Sequence, residues 1–171
     1  KGNTKPARFP NVPTFRDWRE AYAKLDKNFD AVVCSTADHM HAPISMAAMN
    51  MGKHVYCQKP LVRTIWEARQ MQEIAKKARV ATQMGNQGTA QDGLRMQAAQ
   101  VRAGIIGNVT EIHVWSNRPV WPQGHKRGAS KPVRDSIDWD VWIGPRPMRD
   151  YAEGYAPFVW RGFWDFGAGA L

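Results

Sequence analysis

Residues 54–60 read His-Val-Tyr-Cys-Gln-Lys-Pro. Residues 54–57 have strand character, and they meet a polar pair and then a proline, whose ring removes a ladder donor. The strand therefore ends at Gln58-Lys59, and Lys59 arrives at its carboxyl end. A solvated surface lysine is the plain alternative. Pro60 fixes its neighbours, however, and a partly desolvated ammonium there is suited to acid or base work.

The segments on either side repeat the pattern. Residues 31–35, Ala-Val-Val-Cys-Ser, form a compact apolar run without polar alternation, as expected of a parallel strand covered on both faces. Residues 80–84 give a third short strand. Helices alternate with these strands. Trp18, Tyr22 and Leu25 recur at helical spacing. Residues 44–51 follow Pro43, which suits a first helical turn, and stop at Gly52. Thr64 and Glu67 have capping-box spacing and open a helix to about residue 78, with Ile65, Ala68, Met71, Ile74 and Ala75 on one stripe. Helix–strand alternation at this spacing predicts a doubly wound parallel α/β sheet.

Residues 91–103 read as one more helix, and then the pattern changes. Residues 109–115 alternate polar and apolar, predicting a strand with one covered face. Residues 117–163 are irregular and rich in tryptophan and proline, a length that implies a functional or covering role. A boundary near residues 87–90 would divide residues 1–88 from residues 89–171.

The 171 residues are 43% hydrophobic and 23% charged, an ordinary globular composition. No apolar run reaches membrane-spanning length. The net charge of +9 raises the question of nucleic acid, but the basic residues are scattered over separate segments, and the densest group, His125 to Lys131, lies in a loop. No reading motif accompanies them, so nucleic acid is not expected as a partner. Cys34 and Cys57 lie inside apolar runs and read as reduced core residues, consistent with a cytoplasmic setting.

In an open parallel sheet, ligands bind outside the carboxyl ends of the strands. Here those ends carry Ser35, Thr36, Asp38 and His39, with His41 just beyond, then Gln58, Lys59 and Pro60, then Asn86, Gln87 and Gly88. Each has a plainer reading. Ser35 and Thr36 suit a helix cap. His39 and His41 lack the further ligands of a metal set and are structural residues or cofactor contacts. Asn86-Gln87-Gly88 is a common turn composition.

Three segments together resemble the glucose-fructose oxidoreductase/inositol dehydrogenase (Gfo/Idh/MocA) family: residues 30–42, residues 52–61, and residues 81–88. Residues 115–119, 139–145 and 160–167 resemble a bacterial branch of it. The resemblance implies a Rossmann domain binding NAD or NADP, followed by an α/β domain with an open mixed sheet. It implies an oxidoreductase acting on a hydroxyl or keto carbon of a sugar, cyclitol or related polyol, commonly as a homo-oligomer. Redox-neutral glycoside cleavage with the same cofactor is the alternative, and non-catalytic carbohydrate or nucleotide binding a third reading.

By position, Lys59 matches the catalytic lysine of the family's Glu-Lys-Pro motif, with Gln58 in place of the glutamate, and the resemblance implies that both residues also contact the cofactor. Ser35, Thr36, His39 and His41 match the loop bordering the cofactor's ribose and pyrophosphate. Asn86 and Gln87 match the third strand end, and Trp160 and Arg161 a segment reaching back to the cofactor. Asn117 and Arg118 are expected to contact substrate. No metal is expected. The family's Gly-x-Gly-x-x-Gly loop would precede residue 1 and its Asp-x-x-x-His segment would follow Leu171, so the chain reads as an internal piece of a longer protein.

Overall fold

The structure, a computed structural model, describes residues 9–118, 123 and 126–169. Residues 1–8 of the expected leading loop, and His125 of the basic loop, lie outside the described residues. Helix α1, Trp18–Leu25, is capped by Asp17, whose side chain accepts from the Arg19 N–H. It leads into strand β1, Ala31–Cys34, helix α2, Asp38–Asn50, strand β2, His54–Gln58, helix α3, Ile65–Ala78, and strand β3, Thr82–Gly85. Helix α4 spans Asp92–Arg102 and a short α5 spans Trp139–Ile143.

The three strands form one sheet in the order β1-β2-β3. Both pairings are parallel, with Cys34 opposite Cys57 and Gln58 opposite Gly85. Alternation along the strands sends Cys34, Val55 and Cys57 toward α2 and α3, where they pack with Ala48, Met49 and Met71. Trp18 and Tyr22 of α1 border the same core, and the Tyr22 hydroxyl donates to the Ile44 carbonyl at 3.3 Å. Both cysteines are buried free thiols.

The start of α3 follows the capping-box expectation. Thr64 Oγ1 accepts from the Glu67 N–H, and Glu67 Oε2 accepts from the Thr64 N–H at 2.8 Å. The helix closes on Arg79, in the left-handed region at φ 55°.

Four expectations are corrected. Helix α2 begins at Asp38, not after Pro43, so the proline lies in its second turn. There it removes one ladder donor, but burial of His39, Met40, His41, Ala42 and Ile44 outweighs that loss. Strand β1 is covered on one face only: Val33 is 71% exposed, because α2 and α3 both lie against the opposite face. Ile65 leaves the predicted stripe and is exposed. Residues 109–118 form no strand and lie outside the sheet, and Ile112 and Val114 are exposed. Alternation supplies an amphipathic edge, while a strand also needs a partner edge, and none of the three described strands pairs with it.

Residues 137–166 build a second core of Ile143, Tyr151, Ala152, Tyr155, Trp160 and Phe166. Trp139 stacks on Trp142 at 4.9 Å between ring centroids, and Trp142 meets Phe166 edge-on at 4.8 Å. The region read as a long covering loop does cover something: the start of α2.

Candidate functional site

Parallel pairing sets the carboxyl ends of all three strands side by side. Cys34 is the register partner of Cys57, and Gln58 that of Gly85. The residues just beyond are Ser35-Thr36, Lys59-Pro60 and Asn86-Gln87, so these predicted positions fall along one rim of the sheet.

Ser35 and Thr36 are exposed. The residue preceding α2 is Ala37, which offers no side-chain cap, so neither hydroxyl serves the helix-cap role. Thr36 Oγ1 lies 3.6 Å from the Cys34 sulfur. The Cys34 thiol is held below its usual range, chiefly by its hydrogen bond with Cys57 and against the effect of burial. The same pairing, and then burial, push Cys57 up.

Gln58 ends β2 with its side chain folded back, Oε1 accepting from the Lys59 N–H at 3.3 Å. A Cβ on Gly85 would stand 2.1 Å from that oxygen. The bare Cα at the end of β3 is therefore what lets the amide lie across the rim. Lys59 is exposed, which corrects the expectation of a partly desolvated ammonium: the turn points it away from the core. The Lys59-Pro60 peptide is cis. Asn86 and Gln87 are also exposed, with the Asn86 carbonyl accepting from the Thr89 N–H and hydroxyl.

The two histidines are both interior. His39 is fully buried, and its Nε2 faces the Trp142 carbonyl at 2.7 Å. Its backbone N–H donates to the Phe166 carbonyl at 3.2 Å. Burial lowers its pKa to about 4, so the ring is neutral and Nε2–H is the donor. His39 thus fastens α2 to the second core and lies away from the rim. His41, 1% exposed, has Nδ1 at 2.6 Å from the Pro60 carbonyl oxygen and Nε2 at 3.0 Å from that of Thr36.

Trp160 is buried in the second core. Arg161 lays its guanidinium over the Trp160 ring, 4.1 Å from the centroid. Asn117 and Arg118 lie on the exposed segment outside the sheet, where the Arg118 N–H donates to Ser116 Oγ.

One residue of the first strand end was given no role of its own by the sequence. Asp38, the first residue of α2, is 3% exposed and accepts from the Ala168 N–H at 3.4 Å. Burial raises its carboxyl pKa, opposed by that N–H and by the charges of His41, Arg161 and Lys59. An acid directly after a strand end was the available signal.

Beside the rim lies a cavity of about 530 Å³, lined by Phe15, Arg16, Thr36, Ala37, Ile137 and Trp142 among others. Its walls are mainly apolar, with Arg16, Thr36, Ser136 and Asp138 supplying polar groups. Among the described residues no cluster of three or more His, Cys, Asp or Glu side chains could hold a metal. Nor is any described helix long and apolar enough to cross a membrane.

A parallel α/β sheet with a polar rim beside an apolar cavity is the architecture of a nucleotide-binding domain. Residues 3–86 match the oxidoreductase family's NAD-binding Rossmann fold, and residues 100–171 match its C-terminal alpha/beta domain. The chain belongs to the Gfo/Idh/MocA oxidoreductase family.

An uncharacterised oxidoreductase of Schizosaccharomyces pombe is 31% identical over 124 residues, spanning 72% of this chain and 32% of that protein. A levoglucosan dehydrogenase of Pseudarthrobacter phenanthrenivorans is 29% identical over 111 residues, 62% of this chain and 28% of its own length. Among solved structures, an inositol dehydrogenase homologue of Azotobacter vinelandii, complexed with NADH and myo-inositol, aligns with TM-score 0.51 and 26% identity. That alignment covers 54% of this chain and 25% of the other. The chain thus spans about a third or less of the length of these relatives.

Proposed function

We propose that this chain contributes the strand-end rim of an NAD- or NADP-dependent oxidoreductase acting on a hydroxyl or keto carbon of a sugar, cyclitol or related polyol. The observation that carries the reading is the register of the sheet, which sets Thr36, Gln58-Lys59 and Asn86 along one edge, next to an apolar cavity. The named activities of the relatives, on levoglucosan and on inositols, support the polyol class.

The residues present fit a dinucleotide. The apolar cavity suits a flat base, Ser35 and Thr36 offer hydroxyls for ribose or phosphate oxygens, and Gly85 leaves the rim open for the Gln58 amide. Bound there, a nicotinamide supplies the hydride acceptor or donor. Lys59, exposed beside Gln58, orients the reacting hydroxyl and takes or returns its proton. Gln58 keeps the hydrogen-bonding reach of a carboxylate without its charge, so the proton falls to Lys59. His39 holds the wall behind the rim, and Asp38 balances the local positive charge. Asn117 and Arg118 are proposed as substrate contacts, and the division into residues 1–88 and 89–171 as the domain plan.

The test is polyol-dependent reduction of NAD or NADP by the whole protein, followed by nicotinamide absorbance over a panel of sugars and inositols. Stoichiometric reduced cofactor is expected. Sugar release without accumulation of reduced cofactor would replace this reading with redox-neutral glycoside cleavage, and binding without turnover would leave a binding protein.

A further inference from the structure

We infer that His41 is a positioning residue: its buried ring ties the loop after β1 to the turn that carries Lys59. The ring sits on α2 at 1% exposure, one helical turn beyond the rim. Nδ1 reaches the Pro60 carbonyl at 2.6 Å and Nε2 the Thr36 carbonyl at 3.0 Å. Pro60 directly follows Lys59, and Thr36 belongs to the first rim loop, so one side chain spans the first two strand ends.

The chemistry of the partners makes the tie specific. Carbonyl oxygens accept and do not donate. Both contacts are hydrogen bonds at once only when both ring nitrogens carry protons. Buried, hydrogen-bonded supports of this kind fix the geometry of the groups they hold, and small misplacements at a reacting centre cost rate more than binding. His41 therefore acts on the orientation of Lys59 and does not touch the ligand itself, in contrast to the cofactor contact that its place in the sequence implied.

This inference rests on the oxidoreductase reading for its kinetic consequence, but the tie can be measured without substrate. In the whole protein with labelled histidine, ring 1H–15N correlation spectra are expected to show two slowly exchanging N–H signals for His41. A ring with a single exchangeable proton would overturn the two-sided tie, whatever the activity turns out to be. In kinetics, His41→Leu is expected to lower kcat about tenfold while dinucleotide affinity changes less than about threefold. His41→Gln, which keeps a donor, recovers part of the loss and serves if the leucine variant fails to fold. Unchanged kcat in a folded His41→Leu protein would overturn the positioning role and leave the oxidoreductase reading standing.

Discussion

The imidazole Nε2 of His39 lies 2.7 Å from the carbonyl oxygen of Trp142, and this bond joins helix α2 of the Rossmann-like layer to the aromatic core of residues 137–166. Rings of Trp142 and Phe166 flank the histidine, each 5.1 Å away between centroids. The junction excludes water around a titratable group, and that has a consequence in acid.

Burial depresses the folded-state pKa of His39 to about 4, against an ordinary value of 6.5. The unfolded chain therefore takes up a proton that the folded chain refuses. Stability is full above about pH 6.5 and falls as the pH drops toward 4, by about 3 kcal/mol at most from this group. Urea unfolding at pH 7 and pH 5 should show the decline. His39→Gln should flatten that slope while lowering stability at pH 7, and an equally steep slope in the variant would remove His39 as its source.

Gly167 has backbone close against it. A Cβ there would stand 2.5 Å from both the Cα and the carbonyl oxygen of Arg161, and backbone cannot swing aside as a side-chain tip can. Gly167→Ala should cost about 1–3 kcal/mol, seen as a lower urea midpoint.

Gly85 predicts the opposite balance. Its hypothetical Cβ meets the far end of the flexible Gln58 side chain at 2.1 Å, which rotates away at small cost. Gly85→Ala should leave stability within about 1 kcal/mol and yet disturb the rim. Turnover should fall while the urea midpoint holds. Unchanged turnover would detach the Gln58 amide from the site.

At the start of α3, Thr64→Ala removes the acceptor of the Glu67 N–H. The expected loss is about 1 kcal/mol in urea unfolding, without effect on dinucleotide affinity, since the cap belongs to the helix and not to the rim.

Local signals carried much of this into the sequence. The apolar run at residues 31–34, the Pro60 stop and the Thr64/Glu67 pair each act through neighbouring residues, so strands, order and the capping box could be read directly. The start of α2 could not. Pro43 marks a helix start by local rules, whereas the packing of His39 and His41, against Trp142 and Pro60 from far along the chain, extends the helix to Asp38. The same distance hid the separation of roles. The resemblance put His39, His41 and Trp160 beside the cofactor; all three are buried, and for His39 that burial comes from Trp142 and Phe166, far along the chain. Residues 109–115 have strand alternation, but pairing requires another edge, and alternation does not reveal whether one is present.

The central claim is that Lys59, at the end of β2, serves the chemistry at the rim rather than the binding of the dinucleotide. The most direct measurement compares Lys59→Ala with the unaltered whole protein, taking kcat with a polyol that turns over and dinucleotide affinity by titration. Turnover is expected to fall by about 10²-fold or more, with affinity changed far less. Near-normal turnover in a variant that still binds dinucleotide would contradict it.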